Sequence, residues 1–167
     1  MSVVAVKVSD NYIEIASDSL VTEYNSIQKE MLNCKLYKIA DNFVIGGVGY
    51  LKDLSLLKMY ATDHYPSDNK YKSIFTYMSD YIEYIRKYYS NYSPEHSSYY
   101  IIYNGVCYMV DGGFDIVEID DIHSIGSGLE PAYACLLMGS SIKKAIEIAS
   151  QVNPYCGGEI TYYKIKR

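Results

Sequence analysis

The sequence predicts an α+β protein built as a four-layer αββα sandwich, in which two antiparallel sheets lie face to face between two pairs of helices. Segments with the alternation of β-strands occur in blocks, and segments with helical periodicity occur in pairs between those blocks. The coarse order is ββββ, αα, ββββ, αα, β. No interior stretch has the composition of a linker, so we expect residues 1–167 to form a single domain.

The chain begins with a pattern typical of a β-hairpin. Val4, Val6 and Val8 alternate with period two, and apolar alternation resumes over residues 12–16 after an Asp-Asn pair that favours a turn. These two predicted strands open the first block.

A second hairpin is predicted further along the same block. It joins residues 35–39 to residues 43–48 through another Asp-Asn pair, and the glycine-rich residues 46–49 end it. The polar residues 18–29 that precede it are expected to form a loop or a short strand.

Two helices follow the first block of strands. Residues 51–65 and 71–89 repeat apolar side chains at the i, i+3, i+4 spacing that places them on one helix face. The predicted apolar face of the second helix contains Ile74, Phe75, Met78, Tyr81, Ile82, Ile85 and Tyr89.

The second block of strands is marked by Asn104-Gly105, the dipeptide most typical of a two-residue hairpin turn. It predicts that residues 99–103 pair with residues 106–110. Residues 114–119 and 122–125 predict two further strands.

A second pair of helices and a last strand complete the pattern. The helices are predicted over residues 130–138 and Ile142–Val152, and Asn153-Pro154 ends the second of them. Residues 160–165 predict the final strand.

Composition excludes several classes of function. The formal net charge is −5, whereas a nucleic-acid binder normally presents a basic face. No apolar run approaches the roughly 20 residues of a membrane span, and the N-terminus lacks the pattern of a signal peptide. The four cysteines are irregularly spaced and form no metal-ligand motif with the histidines. We therefore expect a cytoplasmic protein with reduced thiols, bound to neither nucleic acid nor membrane and holding no metal.

The start of the chain carries the most informative candidate for chemistry. In Met1-Ser2 the second side chain is small, which favours removal of the initiator methionine and would leave Ser2 with a free α-amine. Because an α-amine has a pKa of about 8, it can be neutral at working pH and accept the proton of the hydroxyl on its own residue. Many proteins begin with Met-Ser, however, so this pair alone predicts little.

Three further positions fit a site around Ser2. Lys35, at the head of a strand, would lower the pKa of a nearby amine and stabilise an alkoxide, and Asp18 would pair with it. Gly47 ends a strand, where a backbone N–H would stabilise an oxyanion. Each position also has an ordinary interpretation: Asp18 as a turn residue, Lys35 as an exposed strand lysine and Gly47 as part of a bulge or tight turn.

In this order, these residues resemble the proteasome β-subunit and HslV peptidases, which are self-compartmentalising proteases of the N-terminal-nucleophile hydrolase fold. The resemblance covers nearly the whole chain and rests on several short segments in the family's order. They are Ser2-Val-Val-Ala-Val, Ile15-Ala-Ser-Asp18-Ser, Cys34-Lys35-Leu-Tyr-Lys-Ile39, Val44-Ile-Gly-Gly-Val-Gly49, Ser124-Ile-Gly-Ser-Gly128 and Asn153-Pro-Tyr-Cys-Gly-Gly158.

The resemblance implies the four-layer fold and assigns a role to each matched position. The loop that begins at Asn153 would orient the amine of the nucleophile. The other implied roles are the nucleophile at Ser2, the acidic residue at Asp18, the active-site lysine at Lys35, the oxyanion donor at Gly47 and the supporting serine at Ser127.

The match departs from the family pattern at several positions. Ser2 replaces threonine, Asn153 replaces an acidic residue and Cys156 replaces a serine. The register at the N-terminus has two solutions, which differ by one residue. Counting back from Asp18 without a gap puts Ser2 on the nucleophile position, whereas the alternation of valines puts Met1 there. We adopt the count without a gap.

The resemblance implies an endopeptidase subunit that needs no metal or organic cofactor. The chain would assemble with copies of itself into a ring or double ring, with residues 71–89 as one candidate contact. Since it contains no nucleotide-binding motif, a separate AAA+ unfoldase ATPase would supply unfolded polypeptides. Two alternatives stay open: a catalytically inactive subunit with a scaffolding role, and an amidase of the same superfamily that acts on a small molecule.

Overall fold

A computed structural model of the chain describes residues 2–23, 27–32 and 34–167. The described residues form eleven β-strands and four α-helices. In chain order they are β1 (Val3–Val8), β2 (Tyr12–Ser17), β3 (Leu20–Glu23), β4 (Ile27–Glu30), β5 (Leu36–Ala40), β6 (Phe43–Val48), α1 (Leu51–Asp63), α2 (Tyr71–Arg86), β7 (Ser98–Tyr103), β8 (Val106–Asp111), β9 (Ile116–Ile119), β10 (Ile122–Gly126), α3 (Leu129–Leu137), α4 (Ile142–Val152) and β11 (Thr161–Lys166).

The strands form two antiparallel sheets and one separate hairpin. The first sheet has four strands in the order β10-β1-β2-β11, and the second has five in the order β5-β6-β7-β8-β9. The hairpin pairs β3 with β4 and belongs to neither sheet. Its position explains its polar sequence, because it is not enclosed between two apolar layers.

Hydrophobic cores fill the spaces between four layers. One core packs α1 and α2 against the five-stranded sheet, a second joins the inner faces of the two sheets, and a third packs α3 and α4 against the four-stranded sheet. The predicted αββα sandwich is therefore confirmed.

Strand β1 runs through the middle of this arrangement and is buried on both faces. Val4 and Val6 face the other sheet, while Val3 and Ala5 face α3 and α4. A nearly continuous apolar sequence is typical of a strand that is covered on both sides. Ser2 directly precedes β1 and is only 5% exposed, so the fold places it at the end of a central strand.

The apolar face predicted for α2 is narrower in the structure. Phe75 is 45% exposed and Tyr89 is 51% exposed, so their prediction as part of the apolar face that packs inward was wrong. Tyr89 lies beyond the end of the helix at Arg86. Phe75 lies beside the buried seam, and its ring contacts Phe114. The residues that do pack inward are Ile74, Tyr77, Met78, Tyr81, Ile82 and Ile85.

Residues typical of turns set the other boundaries of the strands and helices largely as expected from the sequence. The turn between β7 and β8 is formed by Asn104 and Gly105, whose φ angles are 47° and 78°, as a two-residue hairpin turn requires. The polar residues predicted as a loop or short strand contain β3 and β4, although residues 24–26 lie outside the described part of the chain. Among the described residues, no helix is long and apolar enough to cross a membrane.

Candidate active site

The backbone of Ser2 is held by the segment between β10 and α3. Its nitrogen donates a hydrogen bond to Ser127 Oγ at 3.1 Å. Its carbonyl oxygen accepts from the N–H of Gly128 at 3.2 Å and from Ser127 Oγ at 3.4 Å. Gly126, with φ of +100°, permits this approach, because a Cβ there would lie 2.2 Å from the Ser2 oxygen.

Asp18 follows β2 and is buried with its carboxylate hydrogen-bonded on both oxygens. Oδ1 accepts from the backbone N–H of Val3 at 2.9 Å and from Lys35 Nζ at 2.6 Å. Oδ2 accepts from the N–H of Gly157 at 3.1 Å. Asp18 therefore fixes the start of β1, the head of β5 and the loop after α4 relative to one another.

Lys35 is buried directly before β5 and lies in an ion pair with Asp18. Its Nζ also donates to the carbonyl oxygen of Leu20 at 2.6 Å. Burying an ammonium costs free energy unless a counter-charge and hydrogen bonds replace water, and these two acceptors meet that need. Lys35 lines the same cavity as Ser2, so the arrangement holds a positive charge beside the Ser2 side of the site.

Ser127 is supported in turn by the loop after α4. Asn153 Nδ2 donates to the carbonyl oxygen of Ser127 at 2.6 Å, and Asn153 Oδ1 accepts from the N–H of Tyr155 at 2.9 Å. Cys156 Sγ lies 3.8 Å from Ser127 Oγ. The side-chain amide of Asn153 can make this hydrogen bond and a carboxylate could not, because a carbonyl oxygen needs a donor as its partner.

The thiol of Cys156 is a weak competitor for the role of nucleophile. Burial raises its pKa above the ordinary value, and the Asp18 carboxylate raises it further. Since the thiolate is the reactive form of cysteine, Cys156 remains a protonated side chain that packs against Ser127.

The backbone N–H of Gly47 is already used within the five-stranded sheet. It donates to the carbonyl oxygen of Lys35 at 2.9 Å, so an oxyanion would have to displace a ladder hydrogen bond. The role of Gly47 as the oxyanion donor stays a prediction.

A cavity of about 560 Å³ lies beside Ser2 and Lys35. Its apolar wall is formed at the junction of β6 and α1, and the opposite wall is formed by the β3–β4 hairpin. The residues that line it are Ser2, Val21, Thr22, Lys29, Glu30, Met31, Lys35, Gly47, Val48, Gly49, Tyr50, Leu51 and Leu54. A concave, mainly apolar space next to a hydroxyl and a buried ammonium is suited to binding a substrate.

The structure brings the predicted site residues together. Hydrogen bonds connect Ser2 with Ser127 and Asn153, and Asp18 with Lys35, while Gly47 lines the cavity. Met1, the other candidate for the nucleophile position, lies outside the described residues. The catalytic roles of the predicted site residues stay predictions.

Sequence reasoning missed several backbone contributors. They are the N–H of Val3, the carbonyl oxygen of Leu20 and both polar groups of Gly157. Backbone groups leave no side-chain pattern, and only the pairing of strands shows where they point. The segment from Asn153 to Gly158 was the one available signal.

The fold and this arrangement define a four-layer sandwich with a candidate site at the head of a central strand, the architecture implied by the resemblance to N-terminal-nucleophile hydrolases. Comparison with solved structures confirms that fold over nearly the whole chain. Thiobacillus denitrificans BPH is similar with a TM-score of 0.83 and 15% identity, over 98% of this chain and 97% of that chain. Its complex with epoxomicin is similar with a TM-score of 0.82 and 17% identity, over 98% of both chains.

A eukaryotic protein has the same fold. HslV from Trypanosoma brucei is similar with a TM-score of 0.70 and 19% identity, over 99% of both chains. The sequence itself matches no family model and no curated protein. At these identities the similarity establishes the fold that the short motifs implied.

Proposed function

We propose that the chain is the peptidase subunit of a self-compartmentalising protease and that Ser2, once Met1 is removed, is its N-terminal nucleophile. The observation that carries this proposal is the placement of Ser2. Its nitrogen donates a hydrogen bond to Ser127 Oγ, and Ser2 lines the same cavity as Lys35, which is buried in an ion pair with Asp18. Removal of Met1 would turn that nitrogen into an α-amine.

The first step is attack on the carbonyl carbon of a peptide bond. Ser2 Oγ forms the new C–O bond, and its proton passes to the α-amine of the same residue. The Lys35 ammonium lowers the pKa of that amine and stabilises the developing negative charge on Oγ. Ser127 Oγ, held through its carbonyl oxygen by Asn153, orients the amine.

The tetrahedral intermediate then collapses. We assign stabilisation of its oxyanion to the N–H of Gly47, which lines the cavity and would exchange its bond to the carbonyl oxygen of Lys35 for one to the oxyanion. The C–N bond breaks, the protonated α-amine gives its proton to the leaving amine, and an ester to Ser2 remains. Water, deprotonated by the same amine, hydrolyses the ester and regenerates the hydroxyl.

The epoxomicin complex of the structurally similar BPH supports the choice of probe. An epoxyketone presents a ketone and an epoxide, two electrophiles that one residue can attack with its hydroxyl and its α-amine together. A stable adduct therefore reports both groups on the same residue. Ser2 provides that pair when Met1 is absent.

The decisive experiment is intact mass spectrometry of the protein from its native host, before and after incubation with epoxomicin. The proposal expects loss of Met1 and one covalent adduct, and Ser2→Ala should give no adduct and lower peptide cleavage by about 1000-fold or more. Retained Met1 without an adduct would contradict it and favour the inactive scaffolding subunit. Cleavage of small amides but of no peptide would favour the amidase.

We further propose assembly of the chain into a ring or double ring in the cytoplasm, fed by an AAA+ unfoldase with unfolded polypeptides. An exposed apolar stripe on α3 supports self-association. Leu129, Tyr133 and Leu137 follow one another at i, i+4 spacing, and Leu137 is 63% exposed. Light scattering on the purified protein should give the mass of an oligomer, and Leu137→Glu should lower it. A monomer for the unaltered chain would contradict the assembly.

A further inference from the structure

The carboxylate of Glu30 connects the cavity wall to the loop that holds Asp18. Its Oε1 accepts from Ser19 Oγ at 3.0 Å and from the backbone N–H of Glu159 at 2.5 Å. Glu30 is the last residue of β4, so one oxygen joins the separate hairpin to the segments before β3 and before β11.

We propose that Glu30 is a positioning residue that keeps the Lys35–Asp18 pair in place for reaction, an inference that rests on the proposed function. Glu30 does not touch the pair itself. It acts through Ser19 and the loop around Gly157.

The connection to Asp18 runs through Gly157. Its carbonyl oxygen accepts from the N–H groups of Ser19 at 3.0 Å and Leu20 at 2.9 Å, and its own N–H donates to Asp18 Oδ2. The carbonyl oxygen of Leu20 in turn accepts from Lys35 Nζ. A shift of this loop would therefore move an acceptor of the ammonium and a donor to the carboxylate together.

Gly158 leaves the space that the contact between Glu30 and Ser19 occupies. Its φ is +77°, and a Cβ there would lie 2.3 Å from Ser19 Oγ and 2.9 Å from Glu30 Oε1. Any other residue would therefore be strained in its backbone and would also push Glu30 and Ser19 apart. Two independent constraints thus reserve this position for the approach of the carboxylate.

The expected effect is larger on catalysis than on folding. Glu30 is exposed, so the loss of its hydrogen bonds removes little from the stability of the three cores. Displacement of a catalytic group by about 1 Å, however, can cost roughly 100-fold in rate. Ser19 is buried, and without Glu30 its hydroxyl loses the acceptor that fixes it.

The test compares Glu30→Ala and Glu30→Gln with Glu83→Ala, which makes the same change at an exposed position of α2. We expect Glu30→Ala to lower kcat about tenfold or more with little change in KM. Glu30→Gln keeps an acceptor oxygen and should recover most of the loss. A kcat within twofold of the unaltered protein overturns the proposal, as does equal loss in both Glu30 variants. An effect on KM alone also overturns it and makes Glu30 a substrate contact.

A second measurement does not depend on activity. Hydrogen exchange at the amides of Gly157 and Glu159 should be faster in Glu30→Ala and unchanged in Glu83→Ala. If the unaltered protein cleaves no peptide, faster exchange still supports the connection while the proposed function fails. Unchanged exchange overturns the connection whatever the activity.

Discussion

Lys35 Nζ lies 2.6 Å from Asp18 Oδ1, and the two side chains are 3% and 0% exposed. Such a pair adds little stability relative to apolar side chains of similar size, because both charges must leave water. Its burial at the centre of the candidate site is therefore weak evidence for a role in stability, whereas the proposed chemistry gives the ammonium a use. The pair holds an ammonium beside the strand that begins after Ser2.

Breaking the pair from one side should destabilise the protein strongly. Asp18→Asn leaves the Lys35 charge buried without a counter-charge, and we expect a loss of about 3–5 kcal/mol in the free energy of unfolding by urea. The double variant Asp18→Asn with Lys35→Met should recover part of that loss, because no charge remains buried. Peptide cleavage should be absent in both. A single variant as stable as the unaltered chain would show that the charges are not buried together.

The hydrogen bond by which Asn153 holds Ser127 should depend on the side-chain amide of Asn153. Asn153→Asp replaces a donor by a carboxylate that would face the carbonyl oxygen of Ser127 at 2.6 Å in the present arrangement. We expect kcat to fall about fivefold, which corresponds to the ~1 kcal/mol that a typical hydrogen bond contributes. Asn153→Gln, which keeps the donor on a longer side chain, serves as the comparison. An Asn153→Asp variant with raised kcat would contradict the role given to the amide.

Because of the half-buried His123 side chain, we expect the protein to become less stable on mild acidification. Burial lowers its pKa below the ordinary value of 6.5, and its Nδ1 is hydrogen-bonded to the hydroxyl of Tyr100 at 2.7 Å. The unfolded chain therefore binds a proton before the folded chain does, so stability falls as pH drops below 6.5. Unfolding by urea between about pH 7 and 5.5 should show a steeper loss than in His123→Gln. Parallel curves for the two proteins would contradict it.

Buried tyrosines should make the protein less stable as the pH rises into the alkaline range. Burial raises the pKa of Tyr92 to about 12 and, together with the Glu118 charge, that of Tyr108 to about 12. Tyrosine in the unfolded chain ionises near its ordinary pKa of 10.0, so the unfolded chain loses protons first and stability falls as pH rises from 10 towards 12.

Phenolate absorbance gives the measurement for this alkaline transition. It should rise cooperatively with unfolding in this range, and Tyr108→Phe should reduce the dependence of stability on pH. A fully folded protein whose tyrosines all ionise near pH 10 would contradict the burial.

The layers could be predicted from the sequence because each depends on local periodicity. Asn104-Gly105 fixed one hairpin, and alternation from Val4 onward fixed another. The width of the buried face of α2 could not be predicted, since Phe75 and Ile74 have similar apolarity and only the neighbouring elements decide which one is covered. Packing against β-strands distant in the chain supplies that information.

The side-chain part of the candidate site was likewise accessible from sequence, and its backbone part was not. Ser2, Asp18, Lys35 and Ser127 were identified through residue type and order, and the structure brings them together. The hydrogen bond from the N–H of Gly47 to the carbonyl oxygen of Lys35 depends on strand register, which residue types do not encode.

The β3–β4 hairpin stands apart from both sheets, yet it supplies one side of the cavity beside Ser2. Substitutions there can reshape what the cavity accepts without disturbing the packing between the layers. Substrate preference and folding are thereby separable during evolution, and the hairpin is the natural region for engineering new selectivity into this scaffold.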